Sequence, residues 1–108
     1  MLFRSADVHA RTLVPAAVTV RDGRIASIVP ADGPVDPGIL VPGFVDAHVH
    51  VESSMLPPWE FARVAMRHGT VASVSDPHEI ANVLGEPGVR FMLEDAAGSP
   101  FKIGRAHV

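Results

Sequence analysis

The 108-residue chain contains no cysteine. That absence excludes disulfide scaffolds, thiolate zinc sites and cysteine nucleophiles together. It also excludes the deaminases that hold zinc through a P-C-x-x-C element. Charge is scarce as well. Charged side chains make up 19% of the chain and the formal net charge is −3, so there is no basic footprint and nucleic acid is not an expected partner. No apolar run approaches the roughly 18 residues of a membrane-crossing helix, and the N-terminus lacks the basic segment and apolar core of a secretory signal. The expectation is therefore no membrane and a cytoplasmic location. What the chain does have is 47% hydrophobic residues, which reads as globular, together with ten prolines and nine glycines. Those residues cluster at 30–43, 57–58 and 85–100 and divide the chain into short elements. The length allows one small domain or a piece of a larger one, and the core such short elements bury by themselves is thin.

Ala17–Val20 and Ile25–Val29 are two β-prone runs around Asp22-Gly23, which predicts a hairpin with Val18, Val20, Ile25 and Ile28 near one face. Residues 30–38 carry turn chemistry throughout and read as a connector. After Pro42-Gly43 the stretch Phe44–Glu52 alternates with period two. Val45, Ala47, Val49 and Val51 fall on one face, and Asp46, His48, His50 and Glu52 on the other. A helix is expected over Trp59–His68, behind Pro57-Pro58 and closed by Gly69, with Phe61, Val64, Ala65 and His68 on a shared face. Thr70–Ser75 reads as a strand. Ile80–Leu84 reads as a short helix closed by Gly85, and another helix starts at Gly88. Strand, helix, strand, helix is the rhythm of a parallel α/β unit, so strand 70–75 should lie parallel to and beside strand 44–51. No internal repeat is present.

The two ends stand apart from the rest. A widely used short-read sequencing adapter, translated in one frame, reads Ile-Gly-Arg-Ala-His-Val. Its reverse complement gives Leu-Phe-Arg-Ser behind a GTG start. Residues 1–5 and 103–108 match these strings. They are expected to be non-native, leaving 6–102 as the protein itself and His107 without functional meaning. The underlying codons test this.

His48-x-His50 places two imidazoles on one face of a strand, about 6–7 Å apart at the backbone. Both can reach one ion, because imidazole nitrogen binds zinc at about 2.0–2.1 Å. Neutral imidazole suits zinc, iron, manganese and nickel alike, so the pair does not name the metal. Asp46 and Glu52 bracket the pair. Asp76-Pro77-His78-Glu79 forms a second cluster just past a predicted strand, where α/β sheets place ligands. The same residues also read as a helix start, with Asp76 or Glu79 as N-cap and His78 exposed. His68 ends a helix, where a cation suits the dipole, and reads as structural. His9 has no assigned role, and Trp59 reads as packing.

Val41-Pro42-Gly43-Phe44-Val45-Asp46-Ala47-His48-Val49-His50 resembles the first barrel strand of the amidohydrolase (metallo-dependent hydrolase) superfamily. The continuation Val51-Glu52-Ser53-Ser54-Met55-Leu56, with Ser75-Asp76-Pro77-His78-Glu79-Ile80-Ala81-Asn82-Val83-Leu84-Gly85 downstream, resembles its bacterial and archaeal adenine deaminase family. The likeness covers roughly residues 16–98. It implies an α/β fold in which 6–42 belong to a small β-sandwich domain. Residues 43–102 would then be the first two βα units of a metal-dependent (β/α)8 TIM barrel, an architecture that needs about 250 residues. It implies hydrolytic deamination of adenine at C6, releasing hypoxanthine and ammonia, in purine salvage. A divalent ion, manganese foremost with iron or zinc as alternatives, would be mononuclear or binuclear and held partly by His48 and His50. Further ligands and the catalytic acid–base group would lie beyond this chain, which by itself is expected to be inactive. The small-molecule partner is adenine, and the full-length enzyme is compatible with a homo-oligomer. Glu52, one pleat past His50, is expected to face the substrate, with Asp76, His78 and Glu79 bordering the same pocket. An acidic residue at that offset suits a purine with its N–H donors, where related cyclic-amide hydrolases carry an arginine. The competing readings are a dihydroorotase-like or deacetylase-like hydrolase, or a fragment with no activity.

Overall fold

The computed structural model describes residues 2–105. The chain divides into two units, Met1–Pro42 and Gly43–Val108, each with its own sheet.

The first unit is a four-stranded sheet of β1 (Leu2–Asp7), β2 (Thr12–Arg21), β3 (Arg24–Pro30) and β4 (Ile39–Leu40), in the order β3-β2-β1-β4. The β2–β3 hairpin turns at Asp22 and Gly23, both with positive φ (51° and 71°). This is the primed turn whose twist matches antiparallel strands, and glycine adopts it without a Cβ penalty. Val18 pairs with Ile28 and Val20 with Ile25, as the apolar pattern predicts. The register shifts between Thr19 and Val20, and this bulge explains why residues 25–29 do not alternate cleanly. Residues 2–5, expected to be foreign, supply four of the six paired positions of β1. β4 runs parallel to β1. Among the described residues of this unit only Ala16 and Ser5 are buried, and β3 is exposed along its whole length.

The second unit carries β5 (Phe44–Val49), a 3-10 turn (Val51–Ser54), α1 (Pro58–Arg67), β6 (Thr70–Ser75), α2 (His78–Ala97) and β7 (Lys102–Arg105). β5, β6 and β7 form a parallel sheet in that order. β6 has the predicted bounds and pairs with β5 in parallel, from Phe44 opposite Thr70 to Val49 opposite Ser75. Gly43 makes the close approach of these strands possible, because a Cβ there would sit 2.4 Å from Val71 Cγ1. α2 is two helical segments that meet at Gly85, whose backbone (φ 62°, ψ −149°) is not helical, so the break predicted at this glycine is present. α1 starts one residue before the predicted helix, with Pro58 in its first turn, where the missing N–H costs no helical bond. Its inward stripe is Pro58, Phe61, Ala62 and Ala65. Val64 and His68 are exposed, contrary to the expected face. Ala62 wins because a small side chain lets the helix seat closely. Val51, Pro58, Ala62, Met92 and Phe101 form the core, and Phe61 meets Phe101 edge to face. Trp59 is partly exposed, and its backbone N–H donates to Asp95 Oδ2 at 2.6 Å, so α2 caps α1.

The described residues contain three parallel strands and no closed barrel, since two βα units cannot circle back on themselves. Phe44 and Val45 on β5 are accordingly 59% and 63% exposed. No helix of the described residues is long and apolar enough to cross a membrane.

Candidate metal centre

The C-terminal ends of β5 and β6 lie side by side, joined by the N–H of Asp76 donating to the Val49 carbonyl at 3.2 Å. At the β5 end, His48 is the fifth strand residue. His50 stands one position past the strand but keeps an extended backbone (φ −99°, ψ 96°). The period-two geometry therefore survives, and the two rings converge with Nε2 to Nε2 at 3.1 Å. Two nitrogens each about 2.1 Å from one ion, at an angle between octahedral and tetrahedral, lie about 3.0–3.4 Å apart. The observed spacing suits either a shared proton or a shared cation.

Glu52 departs from the expected strand. After His50 the chain winds into the 3-10 turn, closed by Met55 in the left-handed region (φ 59°) and by the Ser54 hydroxyl donating to the Val51 carbonyl at 2.6 Å. Burial of Val51 in an apolar pocket with Pro58, Pro77 and Met92 explains the bend, since a straight strand would carry it past that pocket. Glu52 is thereby turned toward α2, where its Oε1 accepts from the Ile80 N–H at 3.3 Å. Its Oε2 is buried without a partner. Ser53, which sequence reasoning did not single out, donates its hydroxyl to Glu79 Oε2 at 2.7 Å. No local pattern signals a bond between residues 26 apart in sequence.

At the β6 end, Asp76 does not cap α2, whose cap residue Pro77 has no side-chain hydrogen bond. The capping acceptor comes from Glu52 instead. The Asp76 carbonyl accepts from His50 Nδ1 at 3.0 Å, and its Oδ2 lies 3.2 Å from His78 Nδ1. The His50 ring meets the His78 ring edge to face, with centroids 4.7 Å apart, and meets His48 similarly at 4.9 Å. His50, His78 and Glu79 each present a donor atom within 4.8 Å of the others. Thus the two clusters read separately in the sequence form one arrangement. Asp46, midway along β5, is engaged locally, its Oδ1 accepting from the His48 N–H at 3.1 Å. His68 sits at the C-cap of α1 and His9 in the β1–β2 turn, both apart from this cluster in sequence and in element.

Three imidazoles with the Asp76 and Glu79 carboxylates beside them favour a cation over an anion. The nitrogen and oxygen donor set suits zinc, manganese or iron and contains no soft ligand. The residues present therefore fit a divalent ion.

Comparison with known proteins agrees with this chemistry. The amidohydrolase family profile matches residues 39–105, and that family is metal-dependent. The chain is 64% identical over 96 residues to a protein named adenine deaminase from Sulfurovum sp. (strain NBC37-1), covering 89% of this chain and 18% of that protein. It is 62% identical over 98 residues to the adenine deaminase of Salinibacter ruber, covering 91% and 18%. It is 50% identical over 96 residues to that of Methanothermobacter thermautotrophicus, covering 89% and 18%. The chain thus spans about 18% of the length of these relatives.

Proposed function

Because this chain belongs to the amidohydrolase family, we propose that it is the N-terminal part of a metal-dependent adenine deaminase. The observation that carries the reading is the 64% identity with a protein of that name across 89% of the chain. On this reading 6–42 belong to the sandwich domain, 43–102 are the first two βα units of the barrel, and the two ends are foreign. His48 and His50 hold a divalent ion, with manganese the expected metal. Glu52, Asp76, His78 and Glu79 border the adenine pocket. The ion supplies the acidity that makes a water nucleophilic near neutral pH. The task of these residues is to hold the ion, shape the rim and place the purine ring. The proton delivered to the departing ammonia comes from a carboxylate or histidine outside this chain. The parent enzyme is cytoplasmic.

The 108-residue chain by itself releases no ammonia from adenine on this reading. Catalytic zinc sites commonly use three protein ligands plus a water, and the remaining barrel ligands are missing. Bare strand faces and an open sheet edge favour aggregation instead.

The test is a full-length Salinibacter ruber adenine deaminase in which residues 6–102 of this chain replace their counterpart, assayed for ammonia release with manganese, iron and zinc each supplied. Turnover of adenine is expected. A chimera that leaves adenine untouched with all three metals, while hydrolysing another cyclic amide or amidine, removes the adenine assignment.

A further inference from the structure

Asp76 makes two different contacts with two histidines. Its main-chain carbonyl lies 3.0 Å from His50 Nδ1. A carbonyl has no proton to give, so His50 Nδ1 must carry the hydrogen, and neutral His50 is left with a bare Nε2. Its side-chain Oδ2 lies 3.2 Å from His78 Nδ1. A carboxylate this near draws the proton to the same nitrogen and leaves the His78 Nε2 bare as well. This is the carboxylate–histidine and carbonyl–histidine support that orients metal-ligating imidazoles. One residue provides both forms.

His50 also belongs to two donor groups. It pairs with His48 through Nε2 at 3.1 Å, and it stands with His78 and Glu79 in a group whose donor atoms lie within 4.8 Å. Since Nδ1 is committed to Asp76, only Nε2 remains. The two groups therefore meet at His50 Nε2, the one nitrogen through which His50 can bind an ion. His48 and His78 are exposed, so their rings have room to make the final approach to about 2.1 Å.

We propose that His78 is a ligand of the same divalent ion as His48 and His50, and that Asp76 is the positioning residue that sets the His50 and His78 rings for it. Glu79, held at one oxygen by the Ser53 hydroxyl, stands ready as an oxygen donor from the same turn. The inference rests on the metal-centred reading above for its ion. It extends that reading by moving His78 from the pocket rim to the metal.

The experiment is a zinc titration of the metal-free full-length chimera described above, with only residues 6–102 isotope-labelled, read by calorimetry and by histidine ring nitrogen NMR. The metal-free chimera should show His50 and His78 with the proton on Nδ1. The first equivalent of zinc should shift the Nε2 signals of His48, His50 and His78 together, while His9 and His68 stay in place. His78→Ala should weaken zinc binding by about tenfold or more, and Asp76→Ala by a similar factor, within the roughly 10–100-fold range for lost ligand support. Asp76→Ala should scramble the ring tautomer of His78 alone, because the carbonyl that holds His50 survives. Asp76→Asn, which still accepts through its amide oxygen, should restore most of the affinity. The proposal falls if His78 is unmoved by zinc, if His78→Ala binds within twofold of the unsubstituted chimera, or if the chimera takes up no zinc at these rings. Adenine turnover plays no part in this readout. A chimera inactive on adenine beside three shifting rings removes the adenine reading and keeps the inference, and the converse removes the inference alone.

Discussion

The ends of β5 and β6 contribute to one side-chain cluster by different routes. At the β5 end, His48 and His50 share a face because an extended backbone repeats every two residues, and the geometry continues one residue past the strand. At the β6 end, Asp76, His78 and Glu79 are consecutive or nearly so and lie in the turn that opens α2. His78 and Glu79 meet groups across the gap, namely the His50 ring and the Ser53 hydroxyl, while the Asp76 side chain holds His78 from the same turn. The lesson is that a strand presents ligands through its own periodicity, whereas a strand-to-helix turn presents them through its neighbours. Damage to the first should remove the site, and damage to the second should loosen it.

The largest effect is expected at β5. In the full-length chimera, His48→Ala should reduce ammonia release from adenine to background, and excess manganese should rescue it poorly, because the vacated position offers no nitrogen to the ion. Efficient rescue would place His48 outside the metal shell. Next is Gly43→Ala, which forces a methyl into Val71 where β5 meets β6. Overpacking of this kind costs about 1–3 kcal/mol, read as a lowered urea midpoint. An unchanged midpoint would mean that the strands separate freely and that the two ends are not held in register. Glu52→Ala removes the acceptor for the Ile80 N–H at the start of α2 and should cost about 1 kcal/mol, the usual loss for a helix cap. Glu52→Gln keeps an acceptor and should recover most of it. Equal losses in the two variants would show that the charge, and not the cap, matters.

The smallest effect lies outside both strand ends and serves as their control. In the β1–β2 turn, Asp7 Oδ1 accepts from the N–H groups of Ala10 and His9, at 2.9 Å each. These bonds, Ala10 foremost, hold its carboxyl below the ordinary aspartate range. A carboxyl depressed in the folded state supports the turn above its unfolded pKa, and that support fades as pH falls through the lower, folded value. The His9 and Ala10 amide signals should therefore move on acidification at a pH below the ordinary aspartate range. Asp7→Asn should abolish the transition without altering zinc affinity. A change in zinc affinity would show that the turn and the site are coupled.

Much of this was legible in residue order. Asp22-Gly23 between two apolar runs specifies its hairpin through backbone conformations that few residues adopt. The alternation over 44–50 places both histidines, and Gly69 closes α1 just ahead of β6. Less legible was the face of α1, where the small Ala62 is buried and Val64 is left exposed. The path after His50 was misread for a related reason. Period-two alternation extends formally through Glu52, but burial of Val51 bends the chain first.

The sequence by itself determined the chemistry available to this protein: imidazoles and carboxylates without thiols, the strand that carries His48 and His50, and the turn that carries Asp76, His78 and Glu79. It also determined the family, through a likeness that extends over both clusters. Tertiary structure decided which of these groups act together. The bonds that join the clusters link residues 26 to 28 positions apart, and no local periodicity encodes such pairings. They exist because parallel pairing of β5 with β6 brings two C-terminal strand ends to one place, where polar groups of one come within hydrogen-bonding reach of the other.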